Sequence, residues 1–321
     1  MIEHPLDGID GSDPLGFLAA LGVLVALSED TDARLAWPES RAGRPVLRCL
    51  LPRIGLLERL AADPRGDVPV WLTSRAFPKV EKTGAKAFRG CFPPVAIFRA
   101  WVADVNGSAD RMNALAGLSC PAPGVASQKP ASPDDAKALG LDVGSGRGME
   151  IASHQTPFDF TSRNAQFLDQ VRLIGELLSV ELVERQVFDG ATVTADRRMG
   201  WDPWVNRPVA LGGASVPPAA PVLEWFAFRA LTLLPMVPRG RGGPRTTACE
   251  GRRKQGGFYW PLWADWLGRA EVSTLLDSIV GLATRGGEEL RARGVHSVFR
   301  AELTKAADGY SGMFSPSSPV R

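Results

Sequence analysis

The residues in this chain best suited to chemistry are cations, and they fall in two groups. Between Arg239 and Lys254 the sequence reads RGRGGPRTTACEGRRK. Arg239, Arg241, Arg245, Arg252, Arg253 and Lys254 face a single acid, Glu250, a local balance of +5 against +2 for all 321 residues. Gly240, Gly242, Gly243, Gly251 and, just beyond, Gly256 are interleaved with them, which predicts a mobile arm with free backbone N–H groups. Guanidinium forks and exposed amides are the donors that phosphate oxygens accept from. Each phosphate neutralised releases a counterion, so such binding is salt-sensitive. Tyr259 and Trp260 follow at once, and their faces could stack on unpaired bases. The plainer alternative is a solvated surface loop ahead of a core strand. The second group is Lys79, Lys82 and Lys86, spaced three and four apart so that a helix would place them on one face. They lie in a stretch, 75–89, that also holds Arg75 and Arg89 against one acid, Glu81.

Other chemistries find less support. Leu141-Asp142-Val143-Gly144-Ser145-Gly146-Arg147-Gly148 looks like the first motif of class I methyltransferases, in which glycines admit S-adenosylmethionine to the backbone. That motif needs a strand before it and a helix after it. Here a proline-rich stretch precedes it and MEIASHQTPFDF, without a helical stripe, follows. The ribose-binding acid expected about 20 residues on would fall inside an amphipathic helix. His4, His154 and His296 stand in separate regions with no local partner, and Ser12, Ser145 and Ser153 lack a nucleophile-elbow setting. Asp7, Asp10 and Asp13 recur every three residues and could hold a divalent cation, though turns and a helix cap explain them as well. Cys49, Cys91, Cys120 and Cys249 form no CxxC pair, so neither zinc nor a disulfide framework is expected. The sequence thus predicts no catalytic residue, no cofactor and no metal.

The bulk numbers set the frame. Apolar residues are 45% and charged residues 22% of the chain, the balance of a globular protein. Net charge near neutral confines any polyanion site to local patches. Arginine outnumbers lysine 30 to 7, which suits bidentate phosphate recognition and equally suits a GC-rich genome. The N-terminus is acidic, not basic like a secretory leader. The apolar run Leu15–Leu27 falls short of the roughly 20 residues of a membrane span. Scattered cysteines fit a reducing cytoplasm, and no membrane association is expected.

The elements that would position these groups can be read along the chain. Asp13 caps and Pro14 starts a helix that is apolar on every side and so must be buried. Strands are expected near Arg34–Trp37, Val46–Leu51 and Val68–Leu72, with helices near Gly55–Ala62, Val95–Val105 and Ala109–Leu118. Residues 121–134, PAPGVASQKPASPD, read as a linker or a long loop. Phe167, Leu168, Val171, Ile174, Leu177 and Leu178 make a helical stripe. Pro221 opens an apolar central helix that Pro235 and Pro238 stop. FYWPLW at 258–263 reads as an edge strand or aromatic loop because Pro261 cannot donate. A helix near Val272–Leu282, a strand near Ser297–Leu303 and a frayed tail complete the reading. Trp201, Trp204, Trp225, Trp260, Trp263 and Trp266 are expected chiefly in the core. The fold class is mixed α/β (α+β), in two lobes with buried apolar helices on short, mainly antiparallel strands. The lobes are 1–120 and 146–311, joined by a Pro/Gly-rich linker at 121–145 and followed by a flexible tail, 312–321.

Several segments together resemble small proteins of type I-G (formerly I-U) CRISPR loci. They are Asp10-Gly11-Ser12-Asp13-Pro14-Leu15-Gly16-Phe17-Leu18-Ala19-Ala20-Leu21-Gly22, Phe158-Asp159-Phe160-Thr161-Ser162, Trp201-Asp202-Pro203, and Phe258-Tyr259-Trp260-Pro261-Leu262-Trp263. Two relatives fit: the large-subunit-like protein of the surveillance complex, and the extension family that accompanies the helicase–nuclease. Either resemblance implies a role in CRISPR interference, with DNA or guide RNA and other effector subunits or the helicase–nuclease as partners. It transfers no catalytic residue. The expectation is a nonenzymatic nucleic-acid-binding subunit; a methyltransferase-like enzyme and a structural protein-binding adaptor are the rivals.

Overall fold

A computed structural model describes residues 1–27, 32–72, 102–105, 107–121, 153–161, 167–194, 199–203, 218–238, 244–252, 255–305 and 312–320. Strand β1 (Ile2–Pro5) leads into helix α1 (Pro14–Leu27), as the cap and the proline predict. Asp13 Oδ1 accepts from the amides of Leu15 (2.8 Å) and Gly16 (3.4 Å), satisfying two of the orphan donors at the helix start. All fourteen residues of α1 are buried. At ~1.5–3 kcal/mol per large aliphatic or aromatic side chain, this helix is the chief apolar contributor of the N-terminal third.

Strand β2 (Arg34–Ala36) and β3 (Val46–Cys49) join β1 in an antiparallel sheet of order β1-β3-β2. Helix α2 (Arg53–Ala62) follows, then a 3-10 turn at Asp63–Arg65 and helix α3 (Asp67–Trp71). The last corrects the expected strand at Val68–Leu72. Pro69 lies in the first turn of α3, where a missing N–H costs nothing, and Trp71 Nε1 donates to Asp104 Oδ2 at 3.1 Å. Helix α4 (Ala109–Leu118) starts at Ser108, whose hydroxyl accepts from the Arg111 amide, and β4 (Ser119–Pro121) pairs with β5 (Ser153–Gln155). The segments holding Lys79, Lys82, Lys86 and the Gly144–Gly148 motif lie outside the described residues.

Helix α5 (Phe167–Gly175) carries the predicted stripe, with Phe167, Leu168, Val171 and Ile174 buried. It ends before Leu177, which is therefore exposed. Short helix α6 (Val180–Val183) and a π-turn, Glu184–Phe188, lead to β6 (Val193–Thr194), paired with β7 (Pro218–Ala219). Helix α7 (Pro221–Ala230) is buried throughout and lies along α1. A Cβ on Gly22 would come within 1.7 Å of the Phe226 carbonyl oxygen, so glycine alone permits this approach. Under α7, Asp63 Oδ2 accepts from Trp225 Nε1 at 2.8 Å and lies 3.0 Å from Arg229 Nε, out of line for a hydrogen bond but close enough for an ion pair.

The C-terminal third is built on a second antiparallel sheet. Strand β8 (Met236–Val237) pairs with β9 (Arg245–Thr246), and β10 (Cys249–Arg252) with the long β11 (Gln255–Trp263). Helix α8 (Arg269–Arg285) extends further at both ends than the apolar pattern predicts, and α9 (Gly287–Ala292) follows. Strand β12 (Val295–Lys305) pairs with β11 and also with β13 (Gly312–Phe314) and β14 (Ser318–Pro319). Beside Pro261, β11 has β12 on one flank while β10 reaches only to Phe258, a position that tolerates a residue with no N–H. The tail is not frayed: Phe314 is fully buried against Phe158, Phe160 and Phe258, and Val320 N donates to Val298 O at 2.8 Å.

The mixed α/β class with small antiparallel sheets stands. One hydrophobic cluster includes residues of both expected lobes, from Leu6 to Phe314. Leu35 and Leu267 exchange backbone hydrogen bonds (2.9 and 3.1 Å), and Trp37 N donates to Trp263 O at 2.7 Å. Phe17 stacks on Trp37 and Trp260, whose Nε1 donates to Gly11 O at 2.8 Å. The two halves thus complete a shared core instead of burying one each.

Candidate nucleic-acid interface

A cleft of about 1020 Å³ opens beside the basic segment. One wall is β9 and β10 with Arg245, Thr246 and Cys249; the facing wall is the side of α8 that carries Asp277, Gly281 and Arg285. Glu289 and Arg293 bound it from α9 and the residue after it, with His154 and Leu303 nearby. Local sequence explains the walls. Val237 pairs with Arg245, so the chain that leaves α7 at the prolines turns back as a strand. Arg252 pairs with Gln255, so the second half of the basic segment returns as β11. On α8, residues 277, 281 and 285 are four apart and share one face.

Gly240, Gly242 and Gly243, which predict a loosened arm, lie outside the described residues, and the described part of the basic segment, 244–252, is largely strand. Residues 245–246 and 249–252 are strands, and buried Thr246, Thr247 and Ala248 anchor them. Ala248, at φ +60°, turns the chain sharply, and its carbonyl accepts from Tyr259 N at 2.8 Å. Arg245 is the member of the predicted set whose side chain is described, and it faces the cleft. Arg252 ends β10, while Arg239, Arg241, Arg253 and Lys254 lie outside the described residues, as do Lys79, Lys82 and Lys86.

Charges in the cleft are nearly all matched. Arg245 donates to the Asp277 carboxylate and, at 3.0 Å, to the Asp277 carbonyl oxygen. Arg293 pairs with Glu289 at 2.8 Å. Glu250 accepts from the Tyr259 hydroxyl at 2.8 Å and from Arg300 at 3.0 Å. Arg285 differs: its Nε reaches the Gly281 carbonyl oxygen at 3.4 Å, and among the described residues no carboxylate pairs with it. Burial pushes the His154 ring below its ordinary pKa, so it is neutral at pH 7, and burial pushes the Cys249 thiol up, away from the nucleophilic thiolate.

The stacking candidates need correction. Trp260 is 0% exposed and Tyr259 7%, so neither offers a face to a base. Trp260 sits between Phe17, Phe258 and Phe299, and the Tyr259 hydroxyl is taken by Glu250. The aromatic run after the basic segment is the central strand of the sheet, which is why it is so apolar. Trp201, Trp225 and Trp263 are likewise buried, and Trp266 lies under the Arg48 guanidinium at 4.0 Å.

The histidines are on different sheets. His4 (β1) contacts Leu51 O at 3.0 Å, His154 is on β5, and His296 (β12) contacts Trp37 O at 2.8 Å. Asp7 pairs with Arg41, Asp10 accepts from the Ser12 amide, and Asp13 caps α1. Among the described residues no group of three or more His, Cys, Asp or Glu side chains could hold a metal. No helix among them is long and apolar enough to cross a membrane. Sequence reasoning passed over Arg285 and Arg293; at helix ends they read as ordinary dipole partners, and only the packing of α8 against β11 places them across the cleft from Arg245. Neither the protein-family models nor the curated proteins contain a match to this chain.

Proposed function

We propose that this chain is a nonenzymatic nucleic-acid-binding component of a type I-G CRISPR interference system in the cytoplasm. The observation that carries the reading is the cleft: one wall comes from residues 244–251 of the basic segment, with Arg245, and the other is the Asp277–Arg285 face of α8. Arg245, Arg285 and Arg293 supply guanidinium groups there, and guanidinium is the side chain best matched to phosphate. Arg239, Arg241, Arg252, Arg253 and Lys254 belong to the same segment and would extend the contact, with Lys79, Lys82 and Lys86 as a second one. The resemblance to type I-G proteins supplies the partners: DNA or guide RNA, and other effector subunits or the helicase–nuclease.

The test is fluorescence anisotropy with labelled DNA and RNA oligonucleotides over a salt series. Replacing Arg239, Arg241, Arg245, Arg252, Arg253 and Lys254 together with alanine should weaken binding. It should also flatten the dependence on log[salt] by ~0.7–0.9 for each phosphate that is no longer neutralised. Equal affinity and slope in that variant overturns the reading. The adaptor reading draws on a different observation. Met1, Ile2, Leu50 and Ile54 are exposed where β1 begins, β3 ends and α2 begins, and such groups suit a protein partner. A purified chain that ignores nucleic acid at low salt yet co-purifies with an effector subunit would favour it.

A further inference from the structure

We infer that the cleft takes a single strand by its sugar–phosphate backbone alone, and that the Asp277 carboxylate occupies one phosphate position while the cleft is empty. The inference rests on the nucleic-acid reading above and names the ligand class and a regulatory contact within it. Three observations carry it. First, the cleft volume of about 1020 Å³ is that of a small-ligand site; a duplex could touch only its rim, whereas one strand can enter. Second, no Phe, Tyr or Trp side chain lines the cleft among the described residues, the His154 imidazole at its edge is partly buried, and the adjacent Tyr259 and Trp260 are buried in the sheet. Stacking, the usual sequence-tolerant grip on bases, is therefore missing from the walls, and backbone contact remains.

Third, the arginines are in two states. Arg285 lies back over Gly281, where an added Cβ would stand 3.0 Å from the guanidinium Nη2, and it has no carboxylate partner among the described residues. Arg245, on the opposite wall, is held by Asp277 through both the carboxylate and the backbone carbonyl. Asp277 and Arg285 are eight residues apart on α8, ~12 Å along its axis, so a strand lying along the helix can present one phosphate at each. A carboxylate and a phosphate offer the same acceptor fork to guanidinium. With side chains 40% and 62% exposed, the Arg245–Asp277 pair is weak enough to exchange. The incoming strand displaces Asp277 from Arg245, and binding is weaker by the strength of the pair it breaks.

The test measures anisotropy of a labelled oligothymidylate, an abasic strand of equal length, the corresponding oligouridylate and a duplex. They are titrated into the wild-type chain, Asp277→Asn, Arg285→Ala and Glu288→Gln, each checked for folding by circular dichroism. Glu288, exposed on α9, is the control for loss of one negative charge nearby. Asp277→Asn should tighten the single strands three- to fivefold, and Glu288→Gln should not. Arg285→Ala should weaken them about tenfold, the size of a charge-assisted contact. The abasic strand should bind as well as oligothymidylate, and DNA and RNA strands should be affected alike. The inference is overturned if Asp277→Asn matches wild type, if Glu288→Gln tightens equally, if the abasic strand binds much more weakly than oligothymidylate, or if the duplex binds as tightly as the single strands. A wild-type chain that binds none of the probes at low salt overturns the nucleic-acid reading itself, and this inference with it.

Discussion

Replacing Asp13 with asparagine should change how stability depends on pH in a way that only the folded arrangement dictates. Asp13 Oδ1 caps α1 through the Leu15 and Gly16 amides, and asparagine can keep both contacts. What asparagine removes is an ionisable group that the fold disfavours in its charged form. Burial first, then the neighbouring Asp202 carboxylate, raise the Asp13 pKa from 3.8 to about 7, with Asp10 adding a smaller push. Because the folded pKa lies above the unfolded one, the folded state holds the proton more tightly. The stabilisation is complete below about pH 4, declines as pH rises, and is gone above about pH 7. Three pH units at ~1.4 kcal/mol each set a ceiling of ~4 kcal/mol. Asp13 is only half-buried, and screening by solvent reduces this to roughly 1–2 kcal/mol. Urea unfolding followed by tryptophan fluorescence at pH 4, 5.5, 7 and 8 would measure it. Asp13→Asn should gain about 1–2 kcal/mol on wild type between pH 4 and pH 8. A difference between the two proteins that is the same at every pH would refute the electrostatic reasoning.

The remaining predictions concern the core and the sheet. Asp63→Ala leaves Arg229 buried with its opposite charge gone and strips Trp225 Nε1 of its acceptor; chemical denaturation should show a loss of about 3–5 kcal/mol. The double variant Asp63→Ala/Arg229→Met should recover part of that loss, since a buried apolar side chain needs no counterion. Tyr259→Phe removes the hydroxyl that Glu250 accepts from and should cost about 1 kcal/mol of stability while leaving oligonucleotide affinity unchanged. A large affinity loss in that variant, with the fold intact, would show that the Tyr259 hydroxyl contacts the strand and not only Glu250.

Much of the architecture follows from local pattern. The apolar run after Asp13-Pro14 can only be a buried helix, since no face of it could meet water, and α1 is buried along its full length. Spacing of three and four places Phe167, Leu168, Val171 and Ile174 on one side of α5, and Pro221 starts α7 where its fixed backbone angle suits a first turn. Fold class and the basic character of residues 239–254 are likewise properties of composition and order.

Tertiary structure decided the rest, because pairing between distant segments leaves no periodic trace. Val68–Leu72 has strand-forming residues, yet Pro69 fits a first helical turn and Trp71 finds Asp104. The polar tail becomes strand because β12 offers it an edge and the Phe158–Phe258 cluster takes Phe314. Proline-rich residues after Pro121 suggested a boundary, but Phe17, Trp37, Trp260 and Trp263 interlock across the whole length of the chain. Arg285 shows the same division: its charge is written in the sequence, while its place across the cleft from Arg245 exists only because α8 packs on β11, a contact between surfaces that no local spacing encodes.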